Sequence, residues 1–465
     1  MKLSIVLLFI TAALTATART IDVTPGSLAG ELENSTPPAE LTLRGSIDAR
    51  DFATLRDLDC FTTLDLSQVE IAEYSSTTPL FPGRTYFAAA TLPECALFGM
   101  SAEHITLPSR LNKIGAAALA GTAVRTLTIP EGVTAIADNA LYDSRQLTVL
   151  TLPSTLASLG ANAIASCPSL TSVNLEATVV RHLPDGCLAG AESLKGVNLT
   201  NITKLGREVF AGSGIVHIFL PQCREFAPFA LAGMQTVATV SLRDDAIFDR
   251  GLLMDNSSMR ELRGVPDIVP DLFAANCTTF SPSAAVSTAS GVGEFAFANT
   301  GASSLVIGRN LTYLSPYAFA GCHALSLIDV KELQSFIPDV DASTFSGVVT
   351  TDVTLVVADG CEDAWRSHPV WSKFNIVNAT TNVASFPIDD ESALSLTVGG
   401  GEIIGRADGS AGLTLSVYDL EGHRVARTST ADATISLRLA DLPSGLLLID
   451  LQGPGGNSRR LKLLN

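Results

Sequence analysis

Residues 126–176 read TLTIPEGVTAIADNALYDSRQLTVLTLPSTLASLGANAIASCPSLTSVNLE. Within this stretch TLTIP, TVLTLP and TSVNLE align on Ile129, Leu152 and Leu175. The alignment extends outward through HITLP to Leu107 and through KGVNLT, VHIFLP and ATVSLR to Leu199, Leu220 and Leu242. Successive anchors are 22, 23, 23, 24, 21 and 22 residues apart. A fixed period of that length means stacked copies of one supersecondary unit, none of which can bury its apolar face alone.

Alternation around each anchor, often with a proline directly after it, predicts a short parallel strand that ends where proline cannot extend the ladder. Small-residue turns precede the anchors and begin near Gly121, Asp143, Ser166, Gly190, Gly212 and Gly233. In the longer form the apolar residues follow at Leu147, Leu150 and Leu152. In the shorter form, Val124, Leu127 and Ile129, each offset drops by one, so the deletion sits in the turn. A second apolar set, as at Val133, Ile136 and Leu141 or Ile202, Leu205 and Phe210, marks a returning turn. At about 4.8 Å per strand, roughly ten strands make a sheet about 50 Å long, which is an extended surface and not a pocket.

Length alone demands either several domains or such an array, because 465 residues exceed one ordinary core. The opening MKLSIVLLFITAALTATA combines Lys2, an apolar run too short to span a bilayer, and small residues at Ala16 and Ala18. It predicts a secretory signal peptide over 1–18 and no transmembrane segment. A formal net charge of −17 and the lack of any basic run exclude nucleic acid as a partner. The eight cysteines stand singly, without metal-site spacing, and several recur at one place in the repeat. That pattern favours small buried thiols over disulfides or zinc.

The pattern matched most fully by AFAGCHALSLIDV, at 318–330, resembles the BspA-like leucine-rich repeats of bacterial, Bacteroidetes-type surface proteins, and the resemblance covers most of residues 93–377. Residues 354–377, TLVVADGCEDAWRSHPVWSKFNIV, look like the end of such arrays: Gly-Cys opens a short helix, and Trp365, Trp371 and Phe374 cover the last strand. Residues 40–71 resemble the strand, helix and strand with which such arrays begin, inside an N-terminal capping module over 19–92. Asp48 is placed to cap the helix, and Phe52, Leu55 and Leu58 are spaced along one face. Between Asp244 and Ser290 the period fades, and GLLMDNSSMRELRGVP, at 251–266, resembles a hairpin insertion with Asp255 to Ser258 as its turn.

After a polar linker over 378–393, residues 394–465 alternate short strands with turns, as expected of a small β-sandwich. VYDLEGHRVAR, LADLPSGLLLIDL and the terminal KLLN resemble the type A sorting domain of type IX secretion. The resemblance implies that secretion machinery is a partner of residues 394–465 and that the chain is exported to the cell surface or beyond. Leu446 and Leu447, where that family has tyrosine after glycine, and the terminal Asn465 depart from its pattern. The expected fold class is therefore a leucine-rich-repeat solenoid of parallel strands with short turns and helical segments, about 23 residues per repeat, plus a C-terminal all-β sandwich domain.

No catalytic centre, cofactor site or metal site is visible: the six histidines are scattered, and the acidic pairs and the triple glycine at 399–401 lack the context such sites need. The informative positions are the outward row between the last two inward residues of each strand. That row runs Thr106, Thr128, Thr151, Asn174, Asn198, Phe219, Ser241, Val306 and Asp329. Thr128, Thr151, Asn174, Asn198, His217, Phe219 and Ser241 are the candidate binding residues. A ladder of β-favouring side chains accounts for most of them, whereas Phe219, with His217 two positions earlier, puts an aromatic group on a polar face. The resemblance implies a non-catalytic, adhesin-like protein that binds an extracellular protein or glycan. The alternatives are glycan capture for nutrient uptake, or an envelope spacer.

Overall fold

A computed structural model describes residues 18–33, 36–81, 83–243, 245–334, 336–379, 394–399, 402–407, 412–418, 424–432, 434–443, 446–452 and 458–464. The signal peptide, apart from Ala18, lies outside the described residues, as do the linker beyond 379 and most of the C-terminal turn glycines. The chain winds as a parallel β-solenoid of about 15 turns of about 23 residues. It divides into two compact units, Met1–Ser326 with Pro338–Val349, and Leu327–Ile337 with Thr350–Asn465.

In the first unit three ladders of backbone hydrogen bonds run along the stack. One is the expected sheet, with Leu127, Leu150 and Val173 stacked in register and buried. A second ladder falls where the sequence suggested only a returning turn. Thr91–Leu92, Lys113–Ile114, Ala135–Ile136 and Ser158–Leu159 pair in parallel, so Ile136 sits between Ile114 and Leu159. Strands of two residues leave no alternation to read.

The third ladder is in the turns. The N–H groups of Ala117, Leu119 and Gly121 donate to the carbonyls of Asp138, Ala140 and Tyr142 at 3.0, 2.8 and 2.7 Å. Those of Asn139, Leu141 and Asp143 repeat the pattern toward Ala161, Ala163 and Ala165. Between them Ala118 and Ala120 donate back within their own turn. The first and last donor of each set adopt left-handed backbone, as at Ala117 (φ 50°) and Gly121 (φ 68°) or Asn139 (φ 55°) and Asp143 (φ 59°). Glycine and Asx residues meet that demand at least cost. Turns also approach so closely that a Cβ at Gly160 would overlap the Asp138 backbone, whose carboxylate accepts from Ala161 N at 2.8 Å.

Beside this ladder runs a buried column of donors. Ser144 Oγ donates to Leu119 O (3.1 Å), Cys167 Sγ to Leu141 O (3.3 Å), Asn256 Nδ2 to Leu231 O (2.8 Å) and Cys277 Sγ to Leu253 O (3.1 Å). Thr300 Oγ1 and Cys322 Sγ share Phe297 O at 2.9 and 3.3 Å. The recurring cysteines are thus buried free thiols, as their position suggested, and in addition they satisfy carbonyls of the core. Burial pushes the Cys167 and Cys277 thiols up to about 12, which keeps them protonated and able to donate. In the later turns the rings of Phe297, Phe319 and Phe345 stack 5.7 Å apart in the core.

At the N-terminal end, Ala18–Val23, Glu40–Ile47, Thr63–Ile71 and His104–Thr106 form one parallel sheet. Asp48 caps the helix Ala49–Leu58 by accepting from Arg50 N (2.9 Å), while Asp51 reaches back to Asp48 N (2.9 Å). Phe52 and Leu55 are buried, and Leu58 is half-buried.

Residues 251–266 are not a hairpin insertion. Glu261–Arg263 pairs in parallel with Thr239–Ser241, and Gly251, Leu253 and Asp255 donate to Asp271, Phe273 and Ala275 as in any other turn. The period fades because Gly264 (φ 79°) stands where the apolar anchor belongs, 22 residues after Leu242, and a Cβ there would overlap the Leu242 carbonyl.

In the second unit Leu327–Asp329, Thr354–Val357 and Asn375–Asn378 pair in parallel. Helix Glu362–Arg366 follows Gly360-Cys361, and Trp365, Trp371 and Phe374 pack together with ring centroids 5.5 and 5.4 Å apart. Residues 394–464 pair as antiparallel strands in two sheets. They include Glu402–Ala407 and Arg424–Thr430, which the sequence did not suggest, and Leu415, Val417, Ile435, Ile449 and Leu451 are buried in one cluster.

Ser213 occupies the donor column, yet its hydroxyl is buried with no partner among the described residues. Because an unsatisfied buried hydroxyl costs about 1 kcal/mol or more, Ser213→Ala is expected to hold or raise the urea midpoint. Asn256→Ala, which strands Leu231 O and Met234 N, is expected to lower stability by about 2 kcal/mol. Equilibrium unfolding of the two variants checks this, and a loss on Ser213→Ala would show the hydroxyl to be bonded.

Candidate functional site

Three strands of the first unit, His217–Phe219, Thr239–Ser241 and Glu261–Arg263, lie side by side in parallel. Pleating turns Ile218 and Val240 into the core and sends the flanking residues outward. Register then makes two rows, His217 beside Thr239 beside Glu261, and Phe219 beside Ser241 beside Arg263. The six side chains line a shallow depression of about 250 Å³.

The chemistry of this patch is mixed. His217 Nδ1 lies 2.8 Å from Thr239 Oγ1, which orients the imidazole along its row. Arg263 pairs with Glu261 at 2.7 Å, both well exposed. An exposed pair of this kind contributes only about 0–1 kcal/mol, so it opens at little cost and offers its donors and acceptors to a ligand. Phe219 is 59 % exposed, and no neighbouring loop covers it among the described residues. A large apolar ring flanked by a hydroxyl and a guanidinium suits contact with another surface better than solvent.

The remaining candidates are placed differently. Thr128 and Thr151 are exposed neighbours in a separate three-stranded sheet, Thr126–Thr128, Val149–Thr151 and Ser172–Val173. Asn174 folds back on the chain: its Oδ1 accepts from Leu152 N (2.7 Å) and its Nδ2 donates to Leu152 O (3.0 Å). In the equivalent turns Ile129 N donates to Thr151 O and Leu220 N to Ser241 O, so the Asn174 amide stands in for its own peptide in the ladder. Asn198 lies outside any strand and accepts from Thr200 N (3.1 Å) and Thr200 Oγ1 (2.8 Å). Asp329, expected to face outward, is buried and paired with Lys331 at 3.2 Å.

Sequence reading missed Thr239, Glu261 and Arg263. The signal was present, since Thr239 and Glu261 follow His217 at two steps of 22 residues, but residues 251–266 were not counted as a repeat. Among the described residues no group of three or more His, Cys, Asp or Glu is placed to hold a metal ion, and no helix is long and apolar enough to cross a membrane.

Comparison with known proteins supports the architecture. A leucine-rich repeat protein from Bacteroides ovatus is 17 % identical, covers 77 % of this chain and 91 % of its own, and has the same fold with a TM-score of 0.54. The pneumococcal vaccine antigen PcpA is 15 % identical over 78 % of this chain and 84 % of its own, with a TM-score of 0.36. A leucine rich cell surface protein from Faecalibacterium prausnitzii is 14 % identical over 77 % and 87 %, with a TM-score of 0.28. No curated protein sequence matches the chain. The BspA type leucine rich repeat region matches six copies, over residues 90–216 and 266–356, and the patch around Phe219 lies between those stretches. The chain thus carries, in both stretches, repeats of the BspA-type leucine-rich family.

Proposed function

We propose that the chain is a non-catalytic binding protein, exported to the cell surface or released, that engages an extracellular protein through the outer sheet at Phe219. One observation carries this reading: Phe219 projects 59 % exposed from a depression shared by three strands. Most other polar side chains of that row are either ordinary strand residues or, like Asn174 with Leu152 and Asn198 with Thr200, already bonded within the chain. In the same reading residues 1–18 are a signal peptide, 19–92 the N-terminal cap, 93–377 the array ending in the cap 354–377, and 378–393 a linker. Residues 394–465 are a β-sandwich that secretion machinery of type IX reads as an export label. The antiparallel pairing and shared buried cluster within 394–464 support the all-β part of that assignment.

The full chain and Phe219→Ala are to be compared on matched arrays of extracellular-matrix proteins and glycans. A protein ligand whose binding falls at least about tenfold in the variant is the expected result, since a central exposed aromatic typically carries more than 1 kcal/mol of an interface. Protein binding indifferent to Phe219→Ala, or absent, overturns the reading, and binding confined to glycans and lost in Phe219→Ala assigns the patch to a saccharide. Export is tested apart from binding, by deleting 394–465 in the native host and fractionating cells. Loss of the passenger from the surface is expected, and a passenger that still reaches it removes the sorting role.

A further inference from the structure

A half-buried aromatic residue, Phe229, lies on the turns and not on the sheet. Phe229 has left-handed backbone (φ 61°), a conformation that bulky residues adopt at a cost, and its ring leans over Gly251, where a Cβ would overlap it. Two guanidinium groups converge on this ring. Arg207 lies 5.6 Å and Arg250 5.9 Å from its centroid, one from the turn before and one from the turn after. Both arginines are exposed, and among the described residues no carboxylate lies within ion-pair distance of either.

In a chain of net charge −17, Arg125, Arg145, Arg224, Arg243 and Arg263 of the same solenoid each have a carboxylate partner, whereas Arg207 and Arg250 meet on an aromatic ring. Arg207 and the ring, with Arg250 on the ring but outside the lining, border an open depression of about 410 Å³, within the roughly 300–1,000 Å³ usual for small-ligand sites. Its floor is the small, apolar surface of Ala211, Ala232 and Gly233, with Met254 at one side. Glu208 and Asp255 also line it, and Asp255 is engaged by Asn276 Nδ2 at 2.8 Å.

We propose that Arg207, Phe229 and Arg250 form a subsite for an acidic sugar residue, a pyranose bearing one carboxylate or sulfate group. The Arg207 guanidinium supplies charge-assisted, bidentate donors for the acid, and Arg250 beside the ring adds positive charge. The flat apolar floor and the ring edge suit a pyranose, whose faces are apolar and whose rim is polar. Glu208 and Asp255 line the same depression and oppose the arginine charge, which favours a single acid on an uncharged body over a polyanion. This subsite is independent of the patch at Phe219, so either assignment can fail alone.

Ligand-observed NMR titration of the full chain tests it with four probes: a disaccharide containing one hexuronate residue, its methyl ester, the corresponding monosulfated disaccharide, and a short peptide with one glutamate. Saturable binding of the hexuronate or the monosulfated disaccharide is expected, and which of them binds more tightly names the acid. Binding of the methyl ester should be at least tenfold weaker. Arg207→Gln and Arg250→Gln should each weaken the acidic probe at least fivefold and together abolish its binding, with unfolding midpoints unchanged, while Phe219→Ala has no effect. Equal binding of ester and acid, indifference to both arginine substitutions, preference for the peptide, or no binding of either acidic sugar overturns the proposal.

Discussion

The structure depends on the hydrogen-bonded stacking of one turn on the next. Each turn of the first unit places alternate N–H groups, such as those of Ala117, Leu119 and Gly121, against carbonyls of its successor, and the two parallel strand ladders repeat the arrangement on other sides. No turn satisfies its backbone or buries its leucines alone, so stability resides in contacts between neighbours. The constraint explains details that otherwise look arbitrary. Left-handed residues recur four apart because only that backbone aims three successive alternate N–H groups along the stack. Gly160 lacks a side chain because the Asp138 backbone occupies the space. The donor column of Ser144, Cys167, Asn256 and Cys277 reaches carbonyls that no ladder takes up by itself.

Sequence therefore revealed what repeats chemically and concealed what repeats only conformationally. Leu127, Leu150 and Val173 could be aligned because burial demands an apolar side chain in every turn. The two-residue strands such as Ala135–Ile136 carry one inward residue each, too few to show a period of two. Cysteines were legible as buried, but not as donors, because serine, threonine and asparagine meet the same carbonyls in other turns and no single residue type marks the column. Residues 251–266 misled for a specific reason. Gly264 replaces the anchor, and what shows that stretch to be an ordinary turn is its backbone pairing, at Gly251, Leu253 and Asp255, rather than its side chains.

The candidate site was half legible for the same reason. His217 and Phe219 stood out because they break the row of small hydroxyl and amide residues, whereas Glu261 and Arg263 join them only once the register of the third strand is known. Conversely, Asn174 looked like a free hydrogen-bonding group and is not one. An amide at a sheet edge finds a nearer partner in the adjacent backbone than any ligand offers, and pairing both its donor and its acceptor with Leu152 leaves little for a partner. Polarity on a solenoid face is thus weak evidence of binding until the side chain's own backbone bonds are counted.

What distinguishes Phe219 and Phe229 from the rest of the surface follows from that accounting. The exposed ring of Phe219 gains nothing from the stacking of the turns, and the half-buried ring of Phe229 carries the cost of left-handed backbone. Both rings also require their neighbours: Phe219 shares its depression with the strands 22 and 44 residues further on, and Phe229 draws one arginine from each adjoining turn. A site assembled across three turns inherits its geometry from the ladders between them. Rigid in-register stacking, which makes the fold possible, is therefore also what fixes the spacing of groups that a ligand would read.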